Sequence, residues 1–202
     1  MTAPSGGREM PWNRSALLIV DIQNYFFHPR SPAYRGGFRR IIPGISGLID
    51  VFRKEGLPVV FAVYATEFGS PLHARWNKTC SINGRGIEIP RELARRQNER
   101  VFYKTRYSAL RGTDLVRWLR TRRIDVLTIC GVATNLCVES TVRDAFEEGF
   151  RVVVAEDGCA SPKEDLHRAS LETMRVGFAD VLPIKKIREA LKRRADGRHF
   201  LV

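Results

Sequence analysis

Three residues that could do chemistry stand far apart in this chain. Asp21 closes the apolar run SALLIVD, Lys104 closes VFYK, and Cys137 follows VLTICGVATNL. A thiol becomes a nucleophile when a nearby base takes its proton. A carboxylate can take that proton and later donate it to a leaving nitrogen. An ammonium beside both holds the negative charge that the exchange creates. Cys137 falls in the first turn of an expected helix, after a short strand and the turn Gly131-Val132-Ala133-Thr134. Free N–H groups and the positive end of the helix dipole converge at such a point. They predict a lowered thiol pKa and a resting place for an oxyanion. Thr134 is the expected N-cap. Val138, Val142, Ala145 and Phe146 recur at helical spacing and predict a buried stripe, with Glu139 and Arg143 four apart on the exposed side. For each residue alone a plainer reading stands beside this one: a buried cysteine, an acid capping a turn, a solvated loop lysine.

The elements around them decide whether the three can meet. Buried strands are expected at 15–21, 58–64, 100–103, 126–130, 151–155 and 179–182. Helices are expected at 41–56, 113–123, from 134 onward, 162–176 and 184–194. Thr113 or Gly112 is the expected cap of the second. Strand–helix alternation predicts an α/β fold of right-handed βαβ units: a three-layer sandwich, with a six-stranded parallel sheet and helices on both faces. Ligands bind such sheets at the carboxyl ends of the strands. That rule brings Asp21, Lys104 and Cys137 to one edge. Residues 23–37 read as a loop. The connection 65–100, with a short helix near 90–96, is long enough to be a lid or binding loop. Asn24, Phe27, Tyr64, Trp76 and Tyr107 are candidates for a small-molecule pocket, and ordinary packing is the competing reading for each. Arg75 and Arg85 are candidates for holding a carboxylate.

A chain of 202 residues with 44% hydrophobic content suits one domain. Its expected extent is 15–195, with a mobile lead-in at 1–14 and a loose tail at 196–202. No apolar run approaches membrane-spanning length, and no export signal is read at the N-terminus. Cys80, Cys130, Cys137 and Cys159 show no paired spacing, so reduced thiols in a cytoplasm are expected. The net charge of +12 is spread over 91–100, 117–123 and 185–198. It predicts a solvated basic surface rather than a nucleic-acid site, since aromatic and basic residues do not interleave on one element.

The motifs ALLIVDIQNYF, VFYKTRYSALRGTDL and GVATNLCVESTVRDAFEEGFRVVVAEDGCAS, in this order, resemble the isochorismatase-like cysteine hydrolases. That family includes nicotinamidases, N-carbamoylsarcosine amidohydrolases and ureidoacrylate amidohydrolases. The likeness runs from about Ser15 to Leu182. It implies the isochorismatase-like hydrolase fold and a catalytic triad of Asp21, Lys104 and Cys137. It also implies a cis peptide between Val132 and Ala133, and an oxyanion hole from the N–H groups of Ala133 and Cys137. A dimer or tetramer is implied as well. Metal-containing nicotinamidases carry Asp-x-His and a further His after strand two. Here the stretch is Tyr64-Ala65-Thr66-Glu67-Phe68 with His73 nearby, so no metal or other cofactor is expected. Several isochorismatases lack the cysteine, and its presence favours C–N hydrolysis through a thioester. The segments around Lys104 and Cys137 look most like the ureidoacrylate and N-carbamoyl branch. The expectation is a hydrolase of a small amide or ureido compound. Hydrolysis of a vinyl ether, or binding without catalysis, are the alternatives.

Overall fold

A computed structural model describes residues 10–66, 68–77 and 79–195. Its strands are β1 (Ser15–Val20), β2 (Val59–Tyr64), β3 (Val101–Lys104), β4 (Val126–Val132), β5 (Arg151–Ala160) and β6 (Asp180–Leu182). Its helices are α1 (Asn24–Phe27), α2 (Ile42–Lys54), α3 (Pro71–Trp76), α4 (Leu115–Thr121), α5 (Glu139–Glu147), α6 (Glu164–Gly177) and α7 (Ile184–Ala195).

The six strands lie in the order β3-β2-β1-β4-β5-β6, all pairs parallel. β1, β2 and β4 are buried along their whole length, which is why they read as unbroken apolar runs. The order reverses direction between β3 and β4. Right-handed crossovers therefore put α2 on one face and α4 and α5 on the other. α2 packs against α7, and α5 against α6, so both faces are covered. The reversal leaves β1 and β4 side by side with connections departing in opposite directions. A crevice at their carboxyl ends is the usual ligand site of such sheets.

Several expectations shift in detail. Met10 and Trp12, placed in a mobile lead-in by sequence, are buried in the main core, Trp12 as the first residue of a 3-10 turn, Trp12–Arg14. The expected tail, 196–202, lies outside the described residues. Phe146, expected inside, is 47% exposed and meets Phe178 edge-on, while Val138, Val142 and Ala145 are buried. The stretch 90–96 forms a 3-10 turn at Arg91–Leu93 rather than a helix. The long connection between β2 and β3 is pinned near its end. The Arg53 guanidinium meets Glu99 in bidentate fashion at 2.7 and 2.9 Å, and Glu99 also accepts the Arg96 N–H at 2.8 Å.

β5 runs to Ala160, well past the expected end at 155. Its register against β4 breaks between Ile129 and Gly131, so Val154 pairs with Ile129 but Cys159 pairs with Gly131. The intervening Glu156-Asp157-Gly158 is what makes this strand look like a loop in sequence. Gly131 has φ +132°, and a Cβ there would lie 2.0 Å from the Val20 carbonyl oxygen. Only glycine lets β4 approach β1 this closely where the site begins.

Candidate active site

β1 ends at Val20, and the chain turns away through Asp21 at φ +56°. Aspartate tolerates this left-handed conformation better than most residues. The turn is fixed by the Asp21 N–H donating to the Ala62 carbonyl at 2.8 Å. Lys104 is the last residue of β3, and Tyr64 of β2 is its register partner. Cys137 lies in a π-helical turn, Thr134–Val138, that joins β4 to α5. Such turns are rare and concentrate at functional sites.

These three elements bring the three side chains together. Lys104 Nζ lies 2.8 Å from Asp21 Oδ2, 3.3 Å from Cys137 Sγ and 3.1 Å from the Arg106 carbonyl oxygen. An ammonium has three hydrogens to give, and each has an acceptor. Asp21 and Lys104 are both 0% exposed. Asp21 Oδ2 faces Lys104, and the Cys137 thiol also hydrogen-bonds this carboxylate, so a proton acceptor stands beside the sulfur. Burial works against the Lys104 charge, but the Asp21 carboxylate and the cysteine outweigh it and hold the ammonium pKa above its ordinary value.

The thiol differs from expectation. Burial, and then the charge of Asp21, push the Cys137 pKa well above its ordinary value, while Lys104 pulls the other way. The expected lowering does not occur, because the sulfur is enclosed and a carboxylate faces it. Asp21 thus lies beside the sulfur as well as beside Lys104.

The turn carrying Cys137 is held from several sides. Thr134 does not cap it. Its hydroxyl instead meets His167 Nδ1 of α6 at 2.8 Å, and its carbonyl accepts from Ser170 at 3.2 Å. Burial holds His167 below its ordinary pKa. Asn135 and Ser161 exchange bonds at 2.7 and 3.3 Å, and the Thr141 hydroxyl donates to the Cys137 carbonyl at 2.6 Å. The Val132–Ala133 peptide bond just before the turn is cis.

A cavity of about 180 Å³ opens above these residues, with Asp21, Ala133 and Cys137 among its lining. Tyr64, Trp76 and Tyr107 line it. The indole N–H of Trp76, on α3, donates to the Tyr107 hydroxyl at 2.9 Å and ties the long connection to the segment after β3. Asn24 and Phe27 do not line it. Asn24 faces Glu88 at 3.1 Å, and Phe27 is fully buried against Phe38. The single turn of α1 presents Tyr25 and Phe26 to the cavity instead. Neither Arg75 nor Arg85 lines it; Arg75 lies over the Trp76 ring and Arg85 is exposed. Arg35, not singled out by the sequence, does line it. Among the described residues no three His, Cys, Asp or Glu side chains are grouped as metal ligands, and His73 meets the Phe68 ring at a tilt.

Gln23 was also missed, since a glutamine in a loop gives no signal of its own. It is fully buried beside the site. Its amide donates to the carbonyls of Tyr64 and Gly86 at 2.9 and 3.1 Å, and its oxygen accepts the Tyr64 N–H at 2.7 Å. It thereby joins the end of β2 to the long connection. Gln23→Ala would leave these backbone groups without partners, and each such loss costs about 1–3 kcal/mol. We expect a destabilisation of roughly 2–4 kcal/mol in urea unfolding. An unchanged midpoint would refute this role.

Comparison with known proteins agrees with the geometry. The family model described as "Isochorismatase domain" matches residues 15–186. Nicotinamidase 3 of Arabidopsis thaliana is 32% identical over 187 residues, covering 88% of each chain. A ureidoacrylate amidohydrolase of Methylobacterium radiotolerans is 30% identical, covering 87% of this chain and 78% of its own. The crystal structure of an N-carbamoylsarcosine amidase from Thermoplasma acidophilum superposes with a TM-score of 0.78 at 27% identity, covering 85% of this chain and 96% of its own. With its sheet order, its crevice between β1 and β4 and these relatives, the chain belongs to the isochorismatase family of hydrolases.

Proposed function

We propose that this protein is a cysteine hydrolase that cleaves a C–N bond of a small amide or ureido compound through a thioester. The observation that carries the reading is the position of Lys104 Nζ, 2.8 Å from Asp21 and 3.3 Å from Cys137 beside an apolar cavity. The relatives, a nicotinamidase, a ureidoacrylate amidohydrolase and an N-carbamoylsarcosine amidase, favour C–N chemistry.

Asp21 takes the thiol proton as Cys137 attacks the carbonyl carbon. The oxygen gains negative charge and rests against the N–H groups of Ala133 and Cys137, an arrangement worth several kcal/mol in acyl transfer. Asp21 returns the proton to the nitrogen as the C–N bond breaks, releasing ammonia or an amine. Water then gives a proton to Asp21 and its hydroxide to the thioester carbon. Breaking the C–S bond yields the acid, and the sulfur recovers its proton. Throughout, the Lys104 ammonium holds the carboxylate and balances charge on sulfur.

The test is to quench wild-type enzyme during turnover of amides, ureido acids and isochorismate, assaying ammonia and pyruvate. Ammonia together with an acyl adduct on Cys137 by mass spectrometry is the expected result. Pyruvate from isochorismate with Cys137 unmodified would overturn the reading.

Asp21→Asn keeps the side chain's shape but removes the proton acceptor. Proton transfer by a placed side chain contributes about 10²–10⁴-fold, so we expect a fall in kcat of roughly 10³-fold in a protein that still folds by circular dichroism. Near-normal turnover would remove Asp21 from the proton path.

A further inference from the structure

We propose that Arg35 is a specificity residue that binds a carboxylate on the substrate, so that the preferred substrates are compact anionic amides or ureido acids. This rests on the C–N hydrolase reading above. Three observations carry it.

The first is composition. Apart from the floor around Asp21 and Cys137, the cavity is walled by Tyr25, Phe26, Phe38, Leu72 and Trp76 among others, and among the described residues Arg35 is the one cation lining it. The anion at the floor, Asp21, already has its counter-charge in Lys104. A second cation has no internal partner left to serve.

The second is pairing. The neighbouring arginines on the same segment are taken up by acids: Arg39 by Glu92, and Arg40 by Glu164 at 3.7 Å. The Arg35 guanidinium makes one bond, from Nη1 to the adjacent Tyr34 carbonyl at 2.9 Å, and among the described residues no carboxylate pairs with it. Its remaining N–H groups can meet both oxygens of a carboxylate at once.

The third is layout and size. Cys137 and Asp21 are buried, whereas Arg35 is exposed. A substrate would therefore put its carbonyl inward and its charge outward, where the carboxylate keeps part of its hydration. The cavity of about 180 Å³ limits the body between them. An apolar cavity of about 150 Å³ accepts benzene, so one ring or a short chain fits. The net charge of +12 favours the approach of such anions.

Matched pairs test this: 4-carbamoylbenzoate against 4-methylbenzamide, and 3-ureidopropanoate against propylurea. In each pair a carboxylate is exchanged for a methyl group. Binding is measured by calorimetry on Cys137→Ala protein, and turnover on wild type. We expect the acid of at least one pair to bind roughly tenfold or more tightly than its neutral partner. Arg35→Gln should erase that preference in the Cys137→Ala background. In the active enzyme, Arg35→Gln should raise KM for the acid and leave the neutral compound within about twofold, with Arg35→Lys intermediate. Equal binding within both pairs, a preference that survives Arg35→Gln, or no binding of either acid would overturn the proposal. If the preference is present and lost in Arg35→Gln, but wild type releases no ammonia from any compound, the Arg35 assignment stands and the hydrolase reading fails.

Discussion

Cys137→Ala is expected to abolish turnover, with kcat falling roughly 10⁴-fold or more, about 5.5 kcal/mol of barrier. The side chain removed is the proposed nucleophile, and no other thiol can replace it. Cys80, Cys130 and Cys159 are buried, and burial pushes Cys80 and Cys159 up to about 12. None of these three lines the cavity. Removing Cys137 should cost little stability, because its neighbours Asp21 and Lys104 still satisfy each other. Cys137→Ser separates the nucleophile from its geometry. A hydroxyl is harder to deprotonate than a thiol, and Asp21 is a weak base for it, so a loss of roughly 10³-fold is expected. Steady-state ammonia release from the best substrate decides the matter. Full activity in Cys137→Ala would show that the reaction needs no bond to sulfur.

Lys104→Met is expected to cost both fold and function. Methionine fills similar volume but leaves the Asp21 carboxylate 0% exposed with no counter-charge. Breaking a buried ion pair from one side typically costs about 3–5 kcal/mol. For a chain of this length that corresponds to a fall in Tm of roughly 10 °C. A second variant ties the loss to the stranded charge. Adding Asp21→Asn to Lys104→Met should recover most of the lost stability, since replacing both partners of a buried pair is far less costly than removing one. A double variant as unstable as Lys104→Met alone would sink the argument. Turnover should be lost in either case, as nothing then balances charge on the sulfur.

Much of this was legible in the sequence, for reasons that also explain what was not. β1, β2 and β4 are buried on both faces, and burial on both faces writes itself as SALLIV, VVFAVY and VLTICGV. Once the strands were placed, the rule of carboxyl ends brought Asp21, Lys104 and Cys137 to one crevice without any knowledge of contacts. The walls of the cavity were harder. They come from short irregular segments, where one residue of offset changes what a side chain faces. In α1, Tyr25 and Phe26 line the cavity while Asn24 and Phe27 beside them do not. Gln23 and Arg35 act through partners or through their absence, and neither is visible along the chain. The thiol was misjudged for a related reason. Helix-dipole arguments apply along one element, whereas enclosure by the sheet edge and a facing carboxylate is a property of three.

The strand order has a consequence for how activity is acquired. Asp21 and Lys104 belong to the half of the sheet laid down first in sequence, and Cys137 to the half that follows. The halves are joined edge to edge by β1 and β4, strands separated by more than half of the chain. Pairings this distant form slowly, because a long loop must close before any contact rewards it. No fragment can be partly competent: the nucleophile and its base exist as a pair only after the two halves have docked. During refolding, the return of turnover is therefore a clock for closure of the β1–β4 seam, and it should lag behind any signal that reports helices alone.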